Sequence, residues 1–119
     1  MIVSTCQMSK AGLLKSQGWT VIDITVKSGM REFAPSWDIV MGFKNQTLSE
    51  DGYTDIYLKM MRDSYKKYPT AWKKLLSTEK LCLACYCKTG DFCHRYLLRD
   101  ILVKTGKAWG VSVEVIPER

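Results

Sequence analysis

The sequence lacks the features that mark membrane, secreted and disordered proteins. No apolar run approaches the ~20 residues that a helix needs to cross a bilayer. The first residues show no basic stretch followed by an apolar one, which is the pattern of a secretory signal. Repeats, low-complexity segments and Arg-rich blocks are also missing. Hydrophobic residues make up 46% and charged residues 25% of the 119 positions, as in a globular domain. We therefore expect a single cytoplasmic domain over residues 1–119.

The net charge is basic, but the basic residues are scattered. Lys and Arg total 18 against 12 Asp and Glu, a formal net charge of +6. The excess favours an anionic small-molecule partner such as a nucleotide or a phosphorylated metabolite, and solvated surface charge is the alternative. No basic stripe or tail is present, which argues against a dedicated nucleic-acid surface.

Runs of β-branched residues alternate with helical periodicity along the chain. Strands are predicted at 2–5, 20–25, 81–86 and 111–116, and helices at 9–17, 36–43, 49–68, 70–76 and 94–104, the last closed by Gly106. This alternation predicts an α/β fold: a single Rossmann-like or flavodoxin-like domain with a parallel sheet of about four strands and helices on both faces. The strand order expected is 2-1-3-4. The Tyr and Met stripe of the helix at 49–68 is typical of a core face, although Met-rich surfaces also occur at homo-oligomer contacts.

Ligands of such sheets bind at the carboxyl ends of the strands, which selects residues 6–10, 25–37 and 87–95. In the second of these segments the loop offers cations and backbone amides for a phosphate and rings that could stack on a base. The alternative is that these rings pack the loop against the sheet. The candidate ligand-binding residues of this segment are Lys27, Ser28, Gly29, Arg31, Phe33 and Trp37.

The stretch from Cys85 to Arg95 joins the third predicted strand to the last helix. Free amides and the dipole at the start of that helix favour an anion beside Arg95. The alternative is that Arg95 pairs with Asp91 or with another local acid. The candidate ligand-binding residues of this stretch are Cys87, Gly90, Cys93, His94 and Arg95.

Four of the five cysteines lie between positions 82 and 93, beside the only histidine. An odd count with no secretory signal argues against disulfides. The helix end and Arg95 would lower the pKa of a nearby thiol, making Cys93 or Cys87 a nucleophile with His94 as the acid–base group. Zinc is the second interpretation, but the spacing does not match paired C-x-x-C, and the adjacent Cys93 and His94 should diverge. The third is packing of small apolar thiols. We predict no metal and no cofactor.

The motif C-x-C-x-x-G-x-F-C-H-R at 85–95 resembles the signature of the domain-of-unknown-function family 488 (DUF488). In that signature a cysteine at a strand end is followed eight residues later by Cys-His-Arg at the start of a helix. The form with Cys87 is similar to a branch common in phage genomes. Segments at 23–25, 27–29, 33–37 and 53–72 extend the similarity. The resemblance implies a compact Rossmann-like domain and little about the reaction.

Three functional hypotheses follow. The first is a phage protein that binds a nucleotide-like or phosphorylated molecule, for example an immune signal derived from ADP-ribose or NAD. It would sequester or remove that signal in the host cytoplasm as an anti-defence factor. The second is a Cys/His-dependent hydrolase or transferase acting on a phosphate or N-glycosidic bond. The third is a nucleic-acid-binding module. The sequence leaves binding and turnover both open and gives no sign of a membrane partner.

Overall fold

Strands and helices alternate along the chain as the sequence pattern predicts. The computed structural model describes residues 1–119. The strands are β1 (Ile2–Gln7), β2 (Thr20–Asp23), β3 (Lys80–Cys85) and β4 (Glu114–Val115); the helices are α1 (Ala11–Ser16), α2 (Trp37–Lys44), α3 (Glu50–Lys67), α4 (Pro69–Leu76) and α5 (His94–Ala108). All three strand pairings are parallel. The chain is thus an α/β protein with a four-stranded parallel sheet of Rossmann-like type.

The order of the strands across the sheet is β2-β3-β1-β4, so the expected order 2-1-3-4 is wrong. In both orders β1 and β3 are the two interior strands and β2 and β4 are the edges. The burial pattern of each strand is therefore the same in either case and cannot distinguish them. The observed pairing brings Asp23 of β2 directly beside Ala84 of β3, which sets the loop after β2 against the loop after β3.

Local signals fix the starts of two helices. The side chains of Ser36 and Ser49 cap α2 and α3 by accepting hydrogen bonds from backbone amides. Gly106 does not close the last helix as predicted: it is buried inside α5, where a Cβ would lie 2.6 Å from Val113. The helix ends at Ala108, and Gly110 with φ of 73° makes the turn beyond it. No helix combines the length and apolar character that a membrane span requires.

The two faces of the sheet pack against different layers. Alternate residues of β3 point to opposite sides, so Leu81 and Leu83 enter the larger core while Cys82 enters the smaller one. The larger core lies under α2 to α5, and the smaller one lies under α1. The predicted core stripe of α3 is confirmed by its buried residues, which are Tyr53, Tyr57, Met61 and Ser64.

Candidate functional site

A pocket of about 580 Å³ opens at the carboxyl end of β3. Its walls come from the loop between β2 and α2, from α2, from the start of α3 and from the loop between β3 and α5. Lys27, Trp37 and Tyr86 lie in its lining, and Cys85 and His94 lie at its buried end. We call this cavity the edge pocket. Its position agrees with the rule that parallel sheets bind ligands at their carboxyl edge.

Three thiols and the imidazole meet at the buried end of the edge pocket; we call Cys85, Cys87, Cys93 and His94 the Cys–His cluster. The Sγ atoms of Cys85 and Cys87 are 3.8 Å apart, and Cys93 Sγ lies 3.8 Å from His94 Nδ1. The ligand atoms of Cys85, Cys93 and His94 all lie within 4.8 Å of one another. The prediction that Cys93 and His94 diverge is wrong. Cys93 has an extended backbone (φ −156°, ψ 145°) just before the helix, and this turns its side chain to the same side as that of His94.

The imidazole of His94 is held in one tautomer. Its Nε2 lies 2.5 Å from the carbonyl oxygen of Ile24, and because a carbonyl only accepts, Nε2 carries the proton. The unprotonated Nδ1 therefore faces the sulfur of Cys93. Burial lowers the pKa of His94 and keeps the ring neutral.

The thiols of the cluster lie close enough together to alter one another's pKa. Hydrogen bonding with Cys87 and then with Cys93 lowers the pKa of Cys85 below that of an ordinary thiol, against the opposing effect of burial. The same hydrogen bonds to Cys85 raise the pKa of Cys93 and of Cys87. No cysteine of the chain is in a disulfide.

Arg95 is fully buried and uses all three guanidinium nitrogens inside the protein. Nε donates to Glu118 at 3.0 Å, Nη1 donates to the carbonyl of Cys87 at 3.0 Å, and Nη2 donates to the carbonyl of Lys88 at 3.0 Å. Arg95 therefore pairs with an acid, but the acid is Glu118 rather than Asp91. Arg95 lies outside the lining of the edge pocket. Its side chain fastens the loop after β3 instead of facing a bound anion.

Glu118 is a residue that sequence reasoning missed. It accepts hydrogen bonds from Arg95, Thr5 and Tyr96. Burial alone would raise its pKa, but hydrogen bonds from Thr89, Thr5, Arg95 and Tyr96 outweigh this effect and lower the pKa of Glu118 to about 2. The segment after β4 continues alongside β1, where the amide of Arg119 donates to the carbonyl of Thr5. No local sequence signal places Glu118 there.

The amides after β2 that were predicted to bind a phosphate are already used within the loop. The amide of Ser28 donates to Thr25 Oγ1 and that of Gly29 to the carbonyl of Thr25, while Ser28 Oγ donates to Asp23 at 2.7 Å. A Cβ at Gly29 would lie 2.4 Å from the nitrogen of Thr25. Gly29 therefore serves a close backbone contact, and neither it nor Ser28 lines the pocket.

The predicted aromatic residues separate into two roles. Phe33 is fully buried, and its ring centroid lies 5.0 Å from that of Trp72, so it holds the loop on the core as the alternative proposed. Trp37 is 53% exposed in the lining of the pocket. Arg31 is exposed outside the lining, and Gly90 makes a turn with φ of 87°. The pocket brings together five of the predicted residues: Lys27, Trp37, Cys87, Cys93 and His94.

Sequence reasoning also missed the aromatic wall of the pocket. The ring centroid of Phe92 lies 5.0 Å from that of Phe43 and 5.2 Å from that of Tyr53. Lys44, at the end of α2, adds a second cation to the lining. The amphipathic spacing of α2 and α3 indicates their inward faces, but it does not show which of those residues border a cavity.

Comparison with known proteins gives one match. The family model described as the active DUF488-N3 subclade matches residues 5–106. Comparison with curated proteins and with solved structures gives no match. The matched range contains the second half of β1, all of β2 and β3 and nearly all of α5, and with them the entire Cys–His cluster. The chain therefore belongs to the DUF488 family.

Proposed function

We propose that the edge pocket binds a nucleotide-like or phosphorylated small molecule. The observation that carries this proposal is the composition of the lining: exposed aromatic rings beside two lysines. Trp37 is 53% and Tyr86 68% exposed, and Lys27 and Lys44 line the same cavity. A flat base can stack on an indole or phenol ring, and an ammonium group can pair with a phosphate. The volume of about 580 Å³ is in the usual range for small-molecule sites.

A ligand derived from ADP-ribose or NAD suits this lining best. It carries a base, phosphates and ribose hydroxyls, and the acidic side chains of Glu50 and Asp91 in the lining can accept hydrogen bonds from the hydroxyls. The net charge of +6 favours the approach of such an anion. The finer proposal is that of a phage protein that sequesters or removes a signalling nucleotide of this kind, and it draws on the resemblance of the motif at 85–95.

Calorimetric titration with ADP-ribose tests the binding proposal. Trp37→Ala and Lys27→Ala should each weaken binding at least tenfold, which corresponds to about 1.4 kcal/mol. The matched controls are Trp109→Ala and Lys107→Ala, which remove an exposed ring and an exposed cation outside the pocket. Wild-type protein that binds neither ADP-ribose nor ADP at millimolar concentration would contradict the proposal. Equal losses in the controls would contradict it too.

A second candidate function is hydrolysis or group transfer at a phosphate or N-glycosidic bond of the same ligand. The observation that favours it is the Cys–His cluster at the buried end of the pocket, with the Nδ1 of His94 free of a proton. The matching family model describes an active subclade. Arg95 would position Cys93, to whose sulfur it donates at 3.5 Å, rather than contact the ligand.

Incubation of the protein with ADP-ribose or NAD, followed by chromatographic analysis, separates the two candidates. Ligand recovered unchanged indicates sequestration, whereas conversion to products indicates an enzyme. For an enzyme, His94→Gln should abolish turnover, and Trp37→Ala should mainly raise KM. Turnover that persists in His94→Gln would rule out the cluster as the reacting centre.

A further inference from the structure

We infer that the Cys–His cluster binds one divalent metal ion such as zinc, held by the Sγ atoms of Cys85 and Cys93 and by Nδ1 of His94. The inference depends on the geometry of the cluster alone. It goes beyond the proposed nucleotide site, because the ion would bind whether or not a nucleotide does. It also replaces the expectation of a metal-free protein, which depended on the absence of paired C-x-x-C spacing and on the wrong prediction that Cys93 and His94 diverge.

The donor atoms are spaced for a tetrahedral ion. Bonds of about 2.3 Å to sulfur and about 2.0 Å to nitrogen place neighbouring ligand atoms roughly 3.5–3.8 Å apart. Cys93 Sγ and His94 Nδ1 are 3.8 Å apart, and Cys85 Sγ completes a triangle with no side longer than 4.8 Å. Small side-chain rotations are enough to close this triangle around one ion.

The second hydrogen bond of His94 has the arrangement that supports a ligating imidazole. Histidines that bind metals donate their other ring N–H to a carbonyl or carboxylate, which fixes the tautomer and the ring orientation. Here Nε2 donates to the carbonyl of Ile24, and Nδ1 faces the sulfurs. The ring of Tyr57, whose centroid is 5.6 Å from that of His94, packs beside it.

The charges around the cluster also suit a divalent cation. With Cys85, Cys93 and the neutral His94 as ligands, two thiolates balance an ion of charge +2, so this three-ligand centre would carry no net charge. Arg95 Nη1 donates to Cys93 Sγ at 3.5 Å, and Glu118 balances the guanidinium. A cationic donor on a ligating sulfur favours its thiolate form. The shell around the donor atoms is thus ready for a metal without rearrangement of the loop.

Cys87 lies beside the three ligands and is the side chain that could occupy the fourth position of the ion. Its Sγ lies 3.8 Å from Cys85 Sγ, and its side chain is half-buried in the lining of the edge pocket. The other three ligands are buried. Cys87 is therefore the ligand that can be replaced most easily, and the fourth position faces the cavity in which we propose that a small molecule binds.

Elemental analysis of untagged protein, followed by zinc titration of the chelator-treated protein, tests the inference. We expect one ion per chain, retained against a competing chelating dye. Cobalt in place of zinc should give the intense visible bands of a tetrahedral thiolate site. Cys93→Ser and His94→Gln should lower the zinc affinity at least a hundredfold, and Cys87→Ser should lower it less. Cys82→Ala is the matched control, because it removes a buried thiol of the same strand outside the cluster, and it should bind zinc like the wild type.

Several outcomes would overturn the metal site. Wild-type protein that takes up less than a tenth of an equivalent of zinc would do so, and this measurement does not depend on whether any variant folds. Equal loss of zinc in Cys82→Ala and Cys93→Ser would also do so, as would a Cys85–Cys87 disulfide in protein purified under mild conditions. ADP-ribose binding is measured separately, so failure of one proposal is distinguishable from failure of the other.

Discussion

Two groups of cysteines lie on opposite faces of the same sheet, and only one of them belongs to a polar site. Cys6 and Cys82 are fully buried in the smaller core, beside Leu14. Cys85 lies three residues beyond Cys82 on β3, points to the other face and meets the remaining members of the Cys–His cluster. The comparison teaches that a thiol's role depends on where its strand ends and on which groups converge there, rather than on the residue type.

The surroundings of the two groups differ as much as their members. The Cys6–Cys82 pair packs against apolar side chains of α1 and the neighbouring strands. The cluster is instead fastened by polar contacts from distant segments: His94 bonds to the loop after β2, and Arg95 bonds to Glu118 beyond β4. Polar contacts of this kind define one geometry, whereas apolar packing tolerates small shifts.

The largest effect on the free energy of unfolding should come from removing Arg95. This residue supports the Cys–His cluster, and the Cys6–Cys82 pair has no corresponding support. Arg95→Met leaves Glu118 without its cation and removes the donors to the carbonyls of Cys87 and Lys88. We expect a loss of about 3–5 kcal/mol in the free energy of unfolding, measured by urea denaturation. Arg99→Met is the matched control, because Arg99 pairs with the exposed Asp100, and it should cost less than about 1 kcal/mol. Equal losses in the two variants would contradict the supporting role of Arg95.

The second effect is a loss of stability at low pH that arises from Glu118, the partner of Arg95. The pKa of Glu118 is lowered to about 2 from an ordinary value of 4.5. A lowered pKa contributes stability that is present above the ordinary value and is lost as pH falls through the folded value. We expect up to about 3 kcal/mol to be lost between about pH 4.5 and pH 2. The stability of Glu118→Gln should fall less over this range, so its curve and that of the wild type should converge near pH 2. Parallel curves would contradict the assignment.

A smaller loss of stability should come from a substitution in the buried Cys6–Cys82 pair. Cys82→Ala leaves a small cavity in the smaller core and should lower the free energy of unfolding by about 1 kcal/mol. It should leave zinc content and ADP-ribose binding unchanged. Cys85→Ala also removes a sulfur atom from β3, and it should change both the zinc content and the ADP-ribose binding. Denaturation, elemental analysis and calorimetry on these two variants test the comparison directly, and indistinguishable variants would refute it.

The smallest change in stability should come from the rim of the edge pocket. Tyr86 is 68% exposed, so Tyr86→Ala should alter the free energy of unfolding by less than about 0.5 kcal/mol. The same variant should weaken ADP-ribose binding, because a stacking ring is lost. A large destabilisation with unchanged binding would show that Tyr86 is a packing residue.

Local signals made much of the fold predictable from the sequence. Ser36 and Ser49 mark helix starts because a side-chain cap acts within one turn. The strand order was not predictable, since exchanging β1 with β3 leaves both strands in the interior and requires the same apolar residues. The extent of the last strand was also overestimated, because the alternation at 111–116 gives regular pairing only at Glu114–Val115.

The composition of the candidate site was more predictable than its geometry. The motif at 85–95 identifies all members of the Cys–His cluster, but their convergence depends on the extended backbone of Cys93. The role of Arg95 could not be predicted, since its partner Glu118 reaches it only because the chain after β4 runs beside β1. A contact between residues far apart in sequence leaves no pattern in either segment.

The position of Glu118 has a consequence for the order in which the molecule assembles. Ser4 and Pro117 are hydrogen-bonded although 113 positions separate them in sequence, and closing so long a loop costs chain entropy. The pairing of β1 with β3 can form without them. Arg95 acquires its counter-charge only when the segment after β4 docks on β1, and only then is the loop after β3 fully fastened. The geometry of the loop that carries Cys87 therefore depends on a segment that lies far from it in sequence.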